Sequence, residues 1–279
     1  MRPLSILVIV VVLLSCNKKQ DITKALTDTL NVAKGNFALA FKDLQTGEEI
    51  LINEHRPFHA ASTMKTPVMI EVFKQARAGK FSLDDSVTVK TVFNSIVDST
   101  FSLSPDDDSE RTLYTTNKTT IADLTKKMIV ASSNLATNIL IEMVDAKNVT
   151  QSMRDLGAND IQVLRGVEDN KAFRAGLNNK VTAYDLMLIF SSIVNENEMM
   201  DILLAQEFND IIPANLPKDV RVAHKTGWIK KLHHDSGIVM LPDGRKYVLV
   251  ILSDSLEDED AGVRQMAKAS KMIYDHVNP

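Results

Sequence analysis

The sequence is poor in the residues that mark several large classes of protein. Only one of its 279 residues is cysteine, which excludes a framework of internal disulfides. Aromatic residues make up 5% of the chain and the formal net charge is −4, so neither the stacking surface nor the positive field of a nucleic-acid-binding protein is present. There is no internal repeat and no low-complexity segment. With 44% hydrophobic residues, the chain can bury the core of one sizeable domain.

Residues 1–16 differ in kind from the rest of the chain. Arg2 gives a positive start, residues 4–14 form an apolar run too short to span a bilayer as a permanent helix, and the sole cysteine, Cys16, follows. This pattern resembles a bacterial lipoprotein signal with Cys16 as the lipidated first mature residue; a short buried helix is the alternative. Residues 17–20 then form a polar tether. We therefore expect the protein in the periplasm of the bacterial cell envelope, attached to the membrane through the lipid only.

Hydrophobic periodicity predicts the order helix, two strands, a long helical middle, three strands, helix. The strands at the two ends of the sequence must pair in one sheet, because each group alone would expose unpaired edges. The predicted fold class is mixed α/β (α+β), with an antiparallel sheet of about five strands, flanking terminal helices, an inserted all-helical lobe and a cleft between the lobes. In a single domain spanning 21–279, the sheet lobe covers 21–61 and 218–279 and the helical lobe covers 62–217. The predicted elements are helix 21–33, strands 37–41 and 49–52, a helix from about 62 to 79, helices 119–130, 135–143, 149–156 and 181–194, strands 220–225, 237–241 and 247–252, and helix 257–276.

Ser62 and Lys65 form the first motif with chemical meaning. Residues three apart lie on one face of a helix, so the Lys65 amine can reach the Ser62 hydroxyl and activate it as a nucleophile. Because Pro67 is tolerated only in the first turn of a helix, the helix must begin close to Ser62. The positive end of that helix favours an oxyanion beside Ser62. Alone, however, this motif arises by chance in many proteins.

Two further motifs follow in order along the chain. Residues 132–134 read Ser-Ser-Asn within the helical middle, and residues 225–227 read Lys-Thr-Gly at the predicted end of a strand. Either one alone would be no more than a helix cap or a strand end. Together with Ser-x-x-Lys at 62–65 they match the motif set of penicillin-binding proteins and class A β-lactamases. Over essentially its whole mature length, the chain resembles a class A β-lactamase.

The resemblance implies catalytic roles for four residues. Ser62 is the nucleophile that becomes acylated, and Lys65 helps to remove its hydroxyl proton. The backbone amides of Ser62 and Trp228 form the oxyanion hole. Ser132 passes a proton to the nitrogen that leaves the substrate carbonyl.

The resemblance also assigns the substrate-binding side chains. Lys225 lowers the pKa of the Ser132 hydroxyl and attracts the substrate carboxylate, which Thr226 also binds. Gly227 lets the strand backbone approach the substrate closely. Asn134 holds the amide of the substrate side chain.

Glu168 is the candidate for activating the water that releases the acyl group. Class A enzymes carry a Glu-x-x-Leu-Asn motif, and here other residues stand where the leucine and asparagine belong. Glu168 lies in the corresponding irregular segment, 165–179, and an ion pair with Arg165 or Arg174 is its alternative role. Ser133 also departs from the family pattern, since it replaces an aspartate that is expected to brace the helical lobe.

Two other polar clusters are interpreted as peripheral. The acidic segment 104–110 is expected to be a solvated loop rather than a metal site, and no metal or cofactor is expected. Residues 233–235 read His-His-Asp, which supplies too few ligands for a metal. Because this stretch precedes a predicted strand, His234 is expected to line the rim of the cleft. Trp228, following a turn-forming Gly227, is expected to be a wall of the substrate cleft.

The leading functional hypothesis is a serine β-lactamase-like hydrolase that opens the β-lactam ring through a Ser62 acyl-enzyme and then hydrolyses it. One alternative is a penicillin-binding peptidase of the D-Ala-D-Ala carboxypeptidase kind, which releases β-lactams slowly. Another is a non-hydrolytic sensor that β-lactams acylate. In each case the partner is a small molecule or a D-Ala-D-Ala peptide, and a monomer is expected.

Overall fold

The structure, a computed structural model, describes residues 20–278, so the predicted lipoprotein signal with Cys16 and most of the tether lie outside the described residues. The strands are β1 (Asn36–Asp43), β2 (Glu49–Ile52), β3 (Phe58–His59), β4 (Ser86–Thr88), β5 (Val92–Asn94), β6 (Thr100–Ser102), β7 (Lys118–Thr120), β8 (Lys180–Val181), β9 (Arg221–Ile229), β10 (Leu232–Met240) and β11 (Lys246–Asp254). The helices are α1 (20–30), α2 (Lys65–Arg77), α3 (Ile121–Val130), α4 (Asn134–Val144), α5 (Ala146–Asp155), α6 (Asn170–Arg174), α7 (Ala183–Ser192), α8 (Asn197–Leu204) and α9 (Glu259–Val277). Short 3-10 helices cover Ala61–Met64, Pro105–Asp107 and Arg111–Thr115.

A five-stranded antiparallel sheet lies at the centre of the fold, with the strand order β2-β1-β11-β10-β9. The two ends of the sequence meet where β1 pairs with β11, which places Leu39 opposite Ile251. The predicted mixed architecture and its five-stranded sheet are therefore confirmed. Short two-stranded ladders, β3 with β8, β4 with β7 and β5 with β6, lie outside this sheet.

The sheet is buried on both faces. Alternate side chains of β1 point to opposite sides, so Leu39 and Phe41 pack with α1 and α9 in one hydrophobic cluster. Ala38 and Ala40 face the other way and pack with α7 and the helices of residues 65–204. This two-sided burial explains why β1 and β11 read as nearly continuous apolar runs.

Helix α2 begins beside the five-stranded sheet and packs among the surrounding helices. It is buried along most of its length because α3, α4 and α5 pack around it, and Val68, Met69 and Val72 have no exposed surface. Its N-terminal end follows the 3-10 turn Ala61–Met64, which packs against β9 at the edge of the sheet. The first turn of α2 is thus held between the sheet and the helices.

Several predicted boundaries differ from the structure. The first helix ends at residue 30 rather than 33. Lys225 and Gly227 lie inside β9, which continues to Ile229, so Gly227 is part of a strand and does not form a turn. The chain reverses two residues after Ile229, at Lys231, which has a φ of 64°. Within residues 20–278, no helix has the length and apolar character needed to cross a membrane.

Candidate active site

Ser62 sits in the 3-10 turn that leads into α2, one residue after Ala61, whose φ is 45°. The predicted helix start near Ser62 is correct to within three residues, because α2 proper begins at Lys65. Ser62 lines a cleft of about 620 Å³ between the sheet edge and the helices. The same cleft is lined by the predicted site residues Ser132, Asn134, Glu168, Thr226, Gly227 and Trp228.

The backbone of β9 passes directly against the nucleophile turn at Gly227. A Cβ atom at Gly227 would lie 2.9 Å from the amide nitrogen of Ser62 and 3.1 Å from that of Thr63. Only glycine fits this approach without displacing the turn. Trp228, the next residue, is 66% exposed and lines the cleft, and its role as a wall of the substrate site stays a prediction.

Lys65 is completely buried beneath the cleft. Its Nζ donates to the carbonyl oxygen of Ser132 at 2.7 Å, to the Ser132 Oγ at 3.2 Å and to Oδ1 of Asn134 at 2.9 Å. Burial lowers the pKa of Lys65 to about 7, although the negative charges of Asp108 and Glu168 act in the opposite direction. A substantial fraction of Lys65 is therefore neutral near pH 7 and able to accept a proton.

Lys225 reaches the same hydroxyl from the sheet. Its Nζ donates to the Ser132 Oγ at 3.1 Å and to its neighbour's carbonyl, that of Thr226, at 2.9 Å. Burial and then the charge of Lys65 hold the pKa of Lys225 well below its usual range, while Asp235 raises it. The two lysines and Ser132 form one connected set of donors and acceptors.

Ser132 occupies a strained position between α3 and α4, with a φ of 59°. The next residue, Ser133, caps α4 by accepting a hydrogen bond from the amide of Ala136 at 3.1 Å. This cap fixes the start of α4 and so the positions of Ser132 and Asn134 on either side of it.

Asp108 braces the same helix end, and sequence reasoning missed it. Its Oδ2 accepts from the Ser133 hydroxyl at 3.2 Å, the Leu135 amide at 2.7 Å and the Tyr114 hydroxyl at 3.1 Å. Only 7% of Asp108 is exposed, so the expectation that the whole segment 104–110 is a solvated loop was wrong at this position. The one available signal was the serine at position 133, which left the helix end without the aspartate that the family pattern places there.

Glu168 faces the cleft beside Asn134. Asn134 donates from Nδ2 to Oε1 of Glu168 at 3.1 Å, while its Oδ1 accepts from Lys65. Asn134 thus connects the carboxylate to the buried lysine. Glu168 has a φ of 61°, an uncommon conformation for a residue other than glycine, so its surroundings must hold it in place.

Two side chains hold the segment around Glu168. Asn138 on α4 accepts from the Val167 amide at 2.8 Å and donates to the Val167 carbonyl at 3.0 Å. Asp169 is buried and accepts from the hydroxyl of Ser95 at 3.0 Å and the amide of Ile96 at 3.1 Å, both in the hairpin β5–β6. The residues on either side of Glu168 are therefore tied to α4 and to this hairpin.

Arg165, considered as an ion-pair partner of Glu168, directs its guanidinium into its own segment. Nε donates to the Leu177 carbonyl at 2.9 Å, and the terminal nitrogens donate to the Gly166 carbonyl at 2.9 Å and to Oδ1 of Asn178 at 3.0 Å. The hydrogen bonds from Arg165 to Leu177 and Asn178 connect the beginning of segment 165–179 to its end.

His234 does not lie on the rim of the cleft. Its side chain has no exposed surface, and its Nε2 donates to the carbonyl of His59 at 2.9 Å. Burial lowers its pKa to about 4, so the ring is neutral. The prediction failed because His234 lies in the interior of β10, opposite Gly227, and not before a strand.

Across residues 20–278, no cluster of three or more His, Cys, Asp and Glu side chains is arranged to hold a metal ion. The acidic residues that suggested such a site include Asp108, whose carboxylate is directed at the start of α4.

Comparison with known proteins finds similarity to β-lactamases in both sequence and structure. The model of the beta-lactamase enzyme family matches residues 20–277. A β-lactamase of Bacteroides uniformis is 27% identical over 254 residues, which covers 82% of each chain. Among solved structures, a representative class A β-lactamase from Bacteroides cellulosilyticus has a TM-score of 0.79 at 22% identity, covering 94% of this chain and 98% of that one. A variant of PBP-A in an acyl-enzyme complex with penicillin G has a TM-score of 0.77 at 22% identity and covers 94% of this chain and 97% of that one.

Proposed function

This chain belongs to the beta-lactamase enzyme family, and from that premise we propose that Ser62 opens the β-lactam ring and that the resulting acyl-enzyme is hydrolysed at this same site. It is a serine hydrolase of the β-lactamase kind. The observation that carries the proposal is the convergence of Lys65 and Lys225 on the Ser132 hydroxyl, in the cleft that Ser62 lines.

Acylation begins with the transfer of the Ser62 proton to neutral Lys65. The Ser62 Oγ forms a bond to the lactam carbonyl carbon, and the carbonyl oxygen takes the negative charge beside the amides of Ser62 and Trp228. The carbon–nitrogen bond then breaks and the nitrogen takes the proton of Ser132. Lys65, which donates to Ser132, returns a proton to that hydroxyl, so the protons balance.

Lys225 and Thr226 bind the substrate carboxylate, while Asn134 binds the amide of the acyl side chain. The position of Lys225 beside Ser132 lets one positive charge serve both the carboxylate and the departing nitrogen. Gly227 supplies the close backbone surface along which the substrate lies.

Deacylation requires a base for water, and Glu168 fills that role in the proposal. Its carboxylate lines the cleft and accepts from Asn134, which also binds Lys65. Glu168 takes a proton from water as the water oxygen attacks the ester carbonyl. As the carbon–oxygen bond to Ser62 breaks, this proton passes from Glu168 through Lys65, which is neutral again after acylation, to the Ser62 oxygen.

The test is to mix the purified protein with a chromogenic cephalosporin and follow absorbance and intact mass together. Sustained turnover with a transient adduct on Ser62 supports the proposal. A stoichiometric burst that ends in a stable adduct contradicts the hydrolytic part and leaves acylation standing. Ser62→Ala should form no adduct, and persistence of the adduct in that variant would exclude Ser62 as the nucleophile.

A D-Ala-D-Ala peptidase is the second candidate function. It is favoured by the missing Glu-x-x-Leu-Asn pattern around Glu168 and by the structural likeness to PBP-A, a variant of which forms an acyl-enzyme with penicillin G. A peptide ending in D-Ala-D-Ala separates the two functions, because release of D-alanine with no β-lactam turnover would identify the peptidase. A stable adduct without either turnover would identify the sensor.

We further propose that Cys16 is lipidated after removal of the preceding residues and that the enzyme works as a monomer in the periplasm, anchored to the membrane by the lipid. The short apolar run before Cys16 supports this. Fatty-acid labelling in cells that express the full chain, compared with Cys16→Ser, tests the anchor. Sedimentation of the domain that lacks the leader tests the oligomeric state.

A further inference from the structure

Two histidines, His59 and His234, form hydrogen bonds to the backbone that leads into Ser62. His59 ends β3, where it pairs with Lys180 of β8, and the next amide, of Ala60, donates to the Asn179 carbonyl at 2.9 Å. The chain then turns sharply at Ala61, whose φ of 45° is rarely adopted by residues other than glycine. A conformation of this kind persists only when neighbouring contacts hold it in place.

The side chain of His59 supplies one of those contacts. Its Nδ1 accepts a hydrogen bond from the amide of Ala61 at 3.1 Å. An imidazole nitrogen that accepts must be unprotonated, so the ring is neutral and carries its proton on Nε2. The strained residue directly before Ser62 is therefore held by a bond that exists only in the neutral form of His59.

His234 holds the same segment from the sheet. Its Nε2 lies 2.9 Å from the carbonyl of His59, so that nitrogen carries the proton and donates. Its Nδ1 accepts from the amide of Ser253 on β11 at 3.2 Å and also lies 2.8 Å from the carbonyl of its neighbour His233. Since His234 is opposite Gly227 in the sheet, the two imidazoles connect the glycine that faces the Ser62 amide with the turn that bears Ser62.

We propose that His59 and His234 are positioning residues that, as neutral imidazoles, hold the Ala61 turn and so keep the Ser62 hydroxyl and amide in their reactive arrangement against Gly227. The inference rests on the proposed acylation of Ser62 and adds a pH-dependent element to it. Neither histidine touches the reacting atoms in this scheme. Both act through the backbone between residues 59 and 62.

The surroundings of the two rings favour the neutral form. Burial and then the positive charge of Arg165 lower the pKa of His59, and the ring of Phe173 packs against it at 5.8 Å between centroids. The rings of Phe58 and His234 pack in a T-shaped arrangement, with 5.7 Å between centroids. The charged and titratable groups around the pair are Arg165, Glu168, Asp169 and Lys230 along the cavity that His59 lines, Lys180 across the β3–β8 ladder, and His233 and Asp254 near His234.

Acidification is therefore expected to weaken acylation in a specific way. Protonation of His59 would place an N–H opposite the Ala61 N–H and break the bond. Lys65 also loses its capacity to accept a proton as the pH falls, so the wild-type acylation rate should fall with pH more steeply than one ionisation allows. A variant that still accepts a hydrogen bond from Ala61 but cannot ionise at position 59 should behave differently. Its acylation rate should fall with pH as expected for the ionisation of Lys65 alone.

The matched variants are His59→Asn and His59→Gln. The amide oxygen of asparagine lies two bonds from Cβ, as Nδ1 does, so it can accept from Ala61 and cannot be protonated. The glutamine oxygen lies one bond further out and misses that position. His234→Gln, which can still donate to the His59 carbonyl, and His234→Leu, which cannot, form a second pair.

The experiment measures the second-order rate of acylation by benzylpenicillin, from intact mass after rapid quenching, between about pH 5 and about pH 8. We expect His59→Gln to acylate on the order of tenfold or more slowly than His59→Asn at the alkaline end, because small displacements of a reacting group cost that much. His59→Asn should show a shallower loss of rate with acid than the wild type. Thermal unfolding of each variant identifies any that fail to fold.

Equal acylation by the two His59 variants, or an acid dependence in His59→Asn as steep as in the wild type, would overturn the inference while leaving the proposed function intact. If the wild type itself forms no adduct, the proposed function fails, and the inference is decided by imidazole nitrogen NMR. That measurement should find His59 protonated on Nε2, with the Ala61 amide resonance titrating alongside the ring. The opposite tautomer, or an Ala61 amide that does not follow His59, would overturn it.

Discussion

Lys65 and Lys225 converge on a single hydroxyl, since their Nζ atoms lie 3.2 Å and 3.1 Å from the Oγ of Ser132. Two buried ammonium groups so placed repel each other, and burial already disfavours the charged form of each. The arrangement therefore favours a state in which one amine is neutral and can exchange a proton through Ser132. Burial lowers the pKa of both lysines, and we expect Lys65, with a pKa of about 7, to be the neutral amine once a substrate carboxylate binds Lys225 and keeps it charged.

Replacing Ser132 by glycine or by alanine should slow acylation by about 10² to 10⁴, because both variants lose the hydroxyl that relays the proton. The two variants should differ in stability and not in rate. Ser132 has a φ of 59°, a conformation that glycine adopts freely and alanine avoids. The free energy of unfolding of Ser132→Gly should therefore exceed that of Ser132→Ala by about 1 kcal/mol. Stopped-flow acylation and urea unfolding measure the two effects. Near-wild-type acylation by Ser132→Gly would show that the hydroxyl is dispensable.

Glu168→Gln should have two separate kinetic effects. Deacylation should slow by about 10² to 10⁴ because the amide cannot take a proton from water, and the acyl-enzyme should accumulate. The negative charge of Glu168 raises the pKa of Lys65, so removing that charge lowers this pKa. The pH at which acylation falls on the acid side should consequently shift to lower values.

Intact mass at steady state and a pH profile of the acylation rate measure the two effects of Glu168→Gln independently. Glu198→Gln is the control, because it removes a carboxylate of the same kind from the exposed start of α8. Unchanged turnover in Glu168→Gln would remove Glu168 from the mechanism, and another group would have to activate the water.

The sequence allowed the fold and the centre of the site to be predicted because both depend on short-range patterns. The Ser-x-x-Lys spacing and Pro67 locate the start of α2, and apolar runs at both ends of the chain require a shared sheet. Thr120 caps α3 as its sequence pattern indicates, accepting from the Asp123 amide at 3.1 Å. Motif order then placed Ser132 and Lys225 in one cleft, where the structure brings them together.

The contacts that were missed join residues far apart in the sequence. Asp108 and Leu135 are separated by 27 positions, and no local period relates a carboxylate in a polar stretch to the end of a distant helix. His234 looked like part of a loop because histidine and aspartate dilute the apolar alternation of β10. Its partner, the carbonyl of His59, is 175 residues away, so only the folded sheet reveals the contact.

Gly227→Ala should inactivate the enzyme while leaving it folded. The added methyl would lie 2.9 Å from the Ser62 amide nitrogen, so either β9 or the nucleophile turn must move. A displacement of this kind is expected to reduce acylation on the order of a hundredfold. Gly47→Ala is the matched control: Gly47 has a φ of 76°, so alanine is strained there, but no atom lies within 4 Å of the added methyl. Gly47→Ala should lose stability and keep its acylation rate, whereas acylation at the wild-type rate by Gly227→Ala would contradict the close approach of β9.

His234 should make the protein sensitive to acid unfolding. Its pKa falls from 6.5 in the unfolded chain to about 4 in the fold, so the unfolded state binds a proton first as the pH decreases. Folding stability is therefore complete above pH 6.5 and is lost progressively as the pH falls to about 4, for a total of about 3 kcal/mol at 1.36 kcal/mol per pH unit. His234→Gln cannot ionise but can still donate to the carbonyl of His59, so the variant should lose less stability than the wild type across this range. Urea unfolding at several pH values measures the difference, and parallel stability curves for the two proteins would show that His234 ionises equally in the folded and unfolded states.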